Sequence, residues 1–171
     1  MSSHFDVVVA GGGYVGASLA LALKQADPRL TVAVVDPTPP TAGPDARASA
    51  IAAAARRMLE RLGVWGEIAP HAQPIVDMIV TDSRLDDAVR PVFLTFDGAL
   101  TTGEPFAHMV PNSVMVGALL AAARAAGVEL RMPERVSGFE VSDTHAEVRL
   151  ASGETLSAGL LVAADGAKSR L

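Results

Sequence analysis

Several residue types are missing or scarce in this sequence. The 171 residues include no cysteine, which excludes disulfides, thiolate nucleophiles and cysteine-ligated metal or iron–sulfur sites. No segment reaches the roughly 18 unbroken apolar residues of a transmembrane helix. Residues 1–6 lack the basic stretch and apolar run of a signal peptide. We therefore expect a cytoplasmic protein without a membrane span.

An excess of positive charge is also missing. Fourteen Lys and Arg residues against nineteen Asp and Glu residues give a net charge of -5, with no long run of either sign. A protein that follows phosphate backbones needs the opposite balance, so we expect no nucleic-acid partner. The histidines lack metal-ligand spacing, and the adjacent Asp86 and Asp87 have no reason to share a pocket. The sequence indicates no metal site and no clear acid, base or nucleophile.

The first 36 residues predict a β-α-β unit. Half of all residues are apolar, which is enough for one domain with a core. Residues 5–10 are valine-rich and predict a buried parallel strand, residues 14–25 carry apolar side chains at helical spacing, and residues 31–35 predict a second strand. This pattern predicts an α/β fold of Rossmann type, in which helices flank a parallel sheet.

Further helices and strands are predicted beyond this unit. Residues 37–45 contain four prolines and one glycine, which predicts a loop. A helix is expected from about Arg47 to Leu62, and Gly63 is its predicted stop. The later elements are expected to be strands at 75–82 and 92–97, a helix at 112–126, a strand at 128–131, a small antiparallel meander at 136–141, 146–150 and 155–157, and a buried strand at 160–164.

A glycine motif lies between the first predicted strand and the first predicted helix. Gly11, Gly13 and Gly16 have the spacing G-x-G-x-x-G, and Asp36 ends the next strand. Gly11 permits a tight turn, Gly13 lets the backbone approach a pyrophosphate, and Gly16 lets the helix pack on the strand. The helix N-terminus supplies amide donors to phosphates, and Asp36 can accept hydrogen bonds from ribose hydroxyls. The motif predicts a dinucleotide site.

The motif alone does not distinguish NAD from FAD, because both present adenosine diphosphate to the same loop. Three interpretations of these residues therefore remain: a flavoprotein, a nicotinamide-dependent dehydrogenase, and a non-catalytic nucleotide-binding module. A tight turn in another kind of α/β protein is the remaining alternative.

Three other segments resemble one family. Residues 45–51, DARASAI, resemble the D-x-R-A-x-A-I segment of the ubiquinone-biosynthesis hydroxylases and their relatives around para-hydroxybenzoate hydroxylase. Residues 160–169, LLVAADGAKS, resemble the second fingerprint of that family, an apolar strand followed by D-G-x-x-S. Residues 107–112 resemble its junction between a strand and a helix. The chain thus resembles the class A flavoprotein monooxygenases, and the resemblance implies an FAD-binding site.

The resemblance implies roles for particular residues. In the family, an arginine at the position of Arg47 reaches the FAD pyrophosphate, and a guanidinium fork suits that contact, so we expect Arg47 to bind the diphosphate and not a protein carboxylate. In the family, a polar side chain at the position of Asn112 touches the diphosphate region, although Asn112 also fits a plain N-cap. By the same resemblance, Asp165 and Gly166 are expected to contact the cofactor region, although Asp-Gly is also a common turn. The predicted cofactor site comprises Gly11, Gly13, Tyr14, Val15, Gly16, Asp36, Arg47, Asn112, Asp165 and Gly166.

The resemblance also implies an activity. A protein of this family holds FAD tightly, uses NAD(P)H as co-substrate and hydroxylates an aromatic ring with O2, here a polyprenyl phenol on the way to ubiquinone. The flavin carries that chemistry, and the protein binds and orients it. The implied partners are an aromatic or quinone-precursor substrate, other enzymes of the pathway and the periphery of the inner membrane.

The resemblance to the second fingerprint is incomplete. The family places an arginine three residues beyond the serine, whereas Arg170 follows Ser169 directly. We expect residues 1–74 and 98–171 to form the first part of an FAD-binding domain and residues 75–97 to begin a substrate-facing β layer. The remainder of the family's chain, with its third FAD motif, is absent from this sequence. We therefore expect the 171 residues alone to hold FAD weakly and to lack hydroxylation activity.

Overall fold

The fold is α/β, with one mixed sheet and two smaller antiparallel sheets. The computed structural model of the chain describes residues 3–39, 45–84, 86–97, 103–167, 169 and 171. In chain order these residues form β1 (Ser3–Ala10), α1 (Tyr14–Ala26), β2 (Val32–Val35), β3 (Ala48–Ala52), α2 (Ala53–Arg61), α3 (Trp65–Ile68), a 3₁₀ turn (Ala69–His71), β4 (Gln73–Ile75), β5 (Asp77–Thr81), β6 (Val92–Asp97), β7 (Ala107–Pro111), α4 (Asn112–Ala125), β8 (Glu129–Arg131), β9 (Val136–Val141), β10 (Ala146–Leu150) and β11 (Thr155–Ala163).

The predicted β-α-β unit is confirmed as β1, α1 and β2. The main sheet has the strand order β8-β2-β1-β11-β10-β9. Its first four strands run parallel, and β1 at its centre aligns Ala10 with both Val35 and Ala163. The meander β9-β10-β11 extends the sheet through antiparallel pairs. Because β1, β2 and β11 are parallel neighbours, their carboxyl ends meet at one edge of the sheet.

The core lies on both faces of the main sheet. On one face, Val9 and Val34 pack with the helices α1 and α4, whose Leu21 and Leu119 are almost fully buried. On the other face, Val8 packs in a second cluster with β10 and β11. Each such side chain contributes about 1.5–3 kcal/mol when it is fully buried. This packing fixes the positions of α1 and α4, and with them the positions of their N-termini.

The helix predicted from Arg47 to Leu62 is wrong in its first half. Residues 48–52 form strand β3, which pairs antiparallel with β7, and the helix α2 begins only at Ala53. The alanine-rich sequence of this segment is compatible with either structure. Pairing with β7, which is distant in sequence, decides between them, because tertiary contacts override helix propensity.

The last predicted strand is also corrected. The separate strands expected at 155–157 and 160–164 are one continuous strand, β11. It pairs with β10 through its first residues and with β1 along most of its length. Leu160 was predicted to be buried but is 55% exposed, since it lies with Phe139 and Val141 along a groove on the sheet surface.

Two small sheets complete the described structure. β3 and β4 flank β7 in an antiparallel sheet, whereas β5 and β6 form a separate hairpin. The strands predicted near 75–82 and 92–97 are thus confirmed, as is the helix predicted from residue 112. The predicted loop at 37–45 falls mainly on residues 40–44, which lie outside the described residues. None of the helices in the described ranges has the length and apolarity that crossing a bilayer requires.

Candidate functional site

The three glycines of the motif have different structural roles. Gly11 has φ +114°, and a Cβ at this position would lie 2.2 Å from the carbonyl oxygen of Ala164. A Cβ on Gly16 would lie 2.0 Å from the carbonyl oxygen of Gly11. Side chains at these two positions would collide with backbone, so both glycines are required for packing. A Cβ on Gly13, in contrast, would meet no described atom within 4 Å, because Gly13 borders a cleft.

Asp36 holds the glycine loop against the end of β2. Its Oδ2 accepts a hydrogen bond from the Gly12 N–H at 2.7 Å, and its Oδ1 accepts one from the Thr38 N–H at 2.7 Å. An ionised carboxylate has about four lone-pair positions, so two amide donors leave further acceptor capacity. Asp36 therefore fixes the loop and still has capacity to accept hydrogen bonds from a ligand in the cleft that it lines.

Two helices begin at this cleft. α1 starts at Tyr14 after Gly13, and α4 starts at Asn112 after Pro111. Among the described residues, neither helix has a side-chain cap or an acidic residue in its first turn. The first amides of a helix lack intrahelical partners and carry a partial positive charge. Both N-termini therefore favour an anion in the cleft.

Arg47 lies beside the same cleft, but it pairs with a protein carboxylate. Its Nε donates to Oδ1 of Asp45 at 2.9 Å and its Nη2 donates to Oδ2 at 2.9 Å. The expectation that Arg47 avoids a protein carboxylate is therefore wrong. The hydrogen bonds from Arg47 lower the pKa of Asp45, those of the guanidinium more than that of the backbone N–H. The Arg47 side chain remains 81% exposed, and its Nη1 makes no hydrogen bond within the described part of the chain.

Asn112 is the first residue of α4 and not its N-cap, so the interpretation of Asn112 as a plain cap is corrected. Its backbone N–H donates to the carbonyl oxygen of Arg47 at 3.0 Å. The hydroxyl of Ser49 donates to Oδ1 of Asn112 at 2.7 Å. Because Oδ1 of Asn112 already accepts a hydrogen bond from Ser49, its Nδ2 group is the part of the side chain that can donate to a ligand. Ser49 of β3 thus holds the side chain of Asn112, and Arg47, which directly precedes β3, holds its backbone.

The cleft consists of two adjoining cavities, of about 200 Å³ and about 380 Å³. Both are lined by Gly13, Asp36, Arg47 and Asn112. The second cavity adds four more of the predicted residues, namely Tyr14, Val15, Asp165 and Gly166. Eight of the ten predicted site residues therefore meet around one cleft, while Gly11 and Gly16 lie behind it as packing positions.

Sequence reasoning missed several residues of the cleft. On α4, Ser113, Val116, Gly117 and Leu120 line the first cavity. Their spacing after Asn112 is that of one helix face, a signal that the sequence did contain. Met132 also lines the first cavity and comes directly after β8, which the sheet places beside β2. Within the described residues, no group of three or more His, Cys, Asp or Glu side chains could hold a metal ion.

Proteins of similar sequence include two quinone hydroxylases. A ubiquinone hydroxylase of Rhodospirillum rubrum is 35% identical over 171 residues, which cover 97% of this chain and 38% of that protein. The 3-demethoxyubiquinol 3-hydroxylase of Escherichia coli is 34% identical over 172 residues, which cover 97% of this chain and 42% of that protein. The chain thus spans about two fifths of the length of these relatives.

Solved structures with the same fold include a monooxygenase and a hydroxylase. The p-nitrophenol 4-monooxygenase of Pseudomonas putida superposes with a TM-score of 0.82 at 24% identity, over 99% of this chain and 43% of that one. Aklavinone-11 hydroxylase in complex with FAD and aklavinone superposes with a TM-score of 0.75 at 26% identity, over 99% of this chain and 34% of that one.

One family covers nearly the whole chain. The family described as "FAD binding domain" matches residues 4–171. That range includes the glycine loop, the two helix N-termini and the segment after β11, all of which border the cleft. This chain belongs to the FAD-binding domain family.

Proposed function

We propose that the cleft between the N-termini of α1 and α4 binds the diphosphate of FAD, as part of an NAD(P)H- and O2-dependent aromatic monooxygenase. The observation that carries the proposal is the convergence of two uncapped helix N-termini on one cleft beside Arg47. Helix N-termini and arginine guanidinium groups are established ways of binding phosphate groups. The open space around Gly13 lets a ligand approach the backbone closely.

The proposed roles of the other residues follow from their places around the cleft. Asp36 accepts hydrogen bonds from the adenosine ribose, and Asn112 donates from Nδ2 to the diphosphate. Asp165 and Gly166, with Tyr14 and Val15, line the second cavity and hold the flavin side of the cofactor. When it is bound, FAD supplies hydride acceptance and oxygen activation, and these residues bind and orient it.

The substrate that we propose is a polyprenyl phenol of ubiquinone biosynthesis. Two relatives that are at least 34% identical are named for hydroxylation of ubiquinone or demethoxyubiquinol. The hairpin β5-β6 favours the proposal of an apolar substrate. One face of the hairpin carries four apolar side chains that are substantially exposed, namely Met78, Val80, Leu94 and Phe96. We assign residues 75–97 to a substrate-facing layer and the rest to the FAD-binding domain. An apolar prenyl substrate also favours contact with the periphery of the inner membrane.

Titration of the purified chain tests the cofactor proposal. FAD should bind with a change in flavin fluorescence, and ADP should displace it, because the diphosphate and adenosine supply most of the contacts. NADH is the comparison ligand. Binding of NADH in preference to FAD would favour a nicotinamide-dependent dehydrogenase, and a failure of both FAD and ADP to bind would reject the site.

The guanidinium of Arg47 should be required for affinity. Its Nε and Nη2 bind Asp45, which leaves Nη1 and the positive charge for the diphosphate. Arg47→Lys keeps the charge but loses the Nη1 donor and the planar pairing with Asp45 that orients the side chain, so the Kd for FAD should rise about tenfold, and Arg47→Ala should have at least the same effect. Arg29→Lys is a matched control, because Arg29 pairs with Asp27 in the same way as Arg47 pairs with Asp45, away from the cleft. Parent-like affinity in both Arg47 variants would remove Arg47 from the site.

Ser49 should act through Asn112. Ser49→Ala frees the Asn112 amide to rotate, and we expect a roughly twofold to tenfold weaker FAD affinity. In an Asn112→Ala background the same change should have no further effect, since the group that it orients is gone. Ser137→Ala removes a serine that bonds the Arg149 carbonyl far from the cleft, and serves as control. Equal losses in both backgrounds would contradict this coupling.

A further inference from the structure

Gly117 lies in the interior of α4, where no feature of the described fold requires a glycine. It is not at a turn, and it is not among the glycines with positive φ. A Cβ at Gly117 would meet no described atom within 4 Å, so close packing does not require glycine there. Glycine lowers helix stability relative to alanine. Five of the fourteen residues of α4 are alanine, which makes glycine at this position more notable.

The open space beside Gly117 belongs to the first cavity. Gly117 lines that cavity together with Val116 and Leu120 on the same helix face. Asp36 and Met132 also line this cavity, and they lie close together, because a Cβ on Gly12 would be 3.0 Å from Cβ of Asp36 and 3.2 Å from Cε of Met132. The lining of the cavity therefore includes the apolar side chains of Val116, Leu120 and Met132, the carboxylate of Asp36, and Gly117, which has no side chain.

We propose that Gly117 keeps open the space for the purine ring of the cofactor. This inference rests on the FAD site proposed above. If Asp36 receives the ribose, the attached base lies in the same cavity, where Val116, Leu120 and Met132 offer apolar contact to a flat ring. The missing side chain lets the ring approach the backbone of α4. Gly117 thus determines whether a ligand with a purine fits.

The two consequences of adding a side chain at Gly117 have opposite signs. Gly117→Ala should raise Tm by about 2–4 °C, because alanine favours the helix and nothing in the described fold is displaced. The same change should raise the Kd for ADP at least about threefold, and Gly117→Leu should raise it on the order of tenfold to a hundredfold. An affinity loss in a protein that has become more stable does not come from unfolding.

Gly66 supplies the matched control. It also lies within a helix and would place a Cβ in open space, but it does not line the cleft. Gly66→Ala should leave ADP and FAD affinity unchanged.

ADP and FAD are titrated against the parent and the three variants, and Tm is measured for each. Weaker binding of both ligands in the Gly117 variants, with Gly66→Ala like the parent, supports the proposal. Parent-like ADP affinity in Gly117→Leu overturns it and leaves the FAD site standing. Failure of the parent to bind either ligand overturns the proposed function and this inference together.

Discussion

Gly16→Ala should lower Tm by about 6–12 °C. The added Cβ would lie 2.0 Å from the carbonyl oxygen of Gly11 and 3.1 Å from Cγ1 of Val9. The nearest atom belongs to backbone, so α1 must move away from β1 to relieve the clash. Overpacking of this kind costs about 3 kcal/mol, and each kcal/mol shifts Tm by about 2–4 °C in a protein of this size. Thermal melts followed by circular dichroism measure the change.

Gly13→Ala is the control for that experiment, because it alters the same loop. At Gly13 the backbone has φ -66° and ψ 178°, which alanine adopts freely, and no described atom lies within 4 Å of the new Cβ. Alanine is a poorer N-cap than glycine, so a loss of about 0.5–1 kcal/mol is expected. FAD affinity should fall, since the methyl group stands where the diphosphate approaches. If Gly16→Ala melted like Gly13→Ala, the close packing of α1 on β1 would be contradicted.

The parts of the site that are close in sequence were predictable from it. Gly11 to Asp36 lie within one β-α-β unit, so the spacing of the motif determines their places, and the structure confirms the strands and helix of that unit. The meeting of this loop with Asp165 and Gly166 depends on β11 lying beside β1. Only the resemblance to a family linked those segments, because a single sequence does not show which strands pair.

The hydrogen bond between Ser49 and Asn112 illustrates what the sequence concealed. The two residues are 63 positions apart, and β3 joins them by pairing with β7. That segment was predicted to be helical because Ile51 lies at helical spacing from Ala55, Met58 and later apolar residues, and its alanines give no pattern that separates a strand from a helix. The exposed position of Leu160 was missed for a related reason. An apolar run predicts a buried strand, but burial depends on which elements cover its faces.

Loss of the Asp36 carboxylate should weaken FAD binding more than the changes proposed at Arg47 and Ser49. We expect Asp36→Ala to raise the Kd about tenfold to a hundredfold, the value of a hydrogen bond to a charged group. Two effects contribute. The ribose hydroxyls lose an acceptor, and the amides of Gly12 and Thr38 lose theirs, which loosens the loop that faces the diphosphate. A higher Kd for FAD in Asp36→Ala does not by itself separate direct contact with the ribose from support of the loop.

Ligands that lack one ribose hydroxyl separate the two effects. In the parent protein, 2′-deoxy-ADP or 3′-deoxy-ADP should bind about tenfold more weakly than ADP, because a hydroxyl that donates to the Asp36 carboxylate is gone. In Asp36→Ala, ADP and the deoxy ligand should bind with the same Kd, because the carboxylate that accepts a hydrogen bond from the hydroxyl is already absent. If the carboxylate served only to hold Gly12 and Thr38, the variant would weaken ADP and both deoxy ligands by the same factor. Equal fold-changes in Kd for ADP and for both deoxy ligands would therefore show that Asp36 only supports the loop and does not contact the ribose. A direct contact must instead appear as coupling between the Asp36 side chain and one ribose hydroxyl.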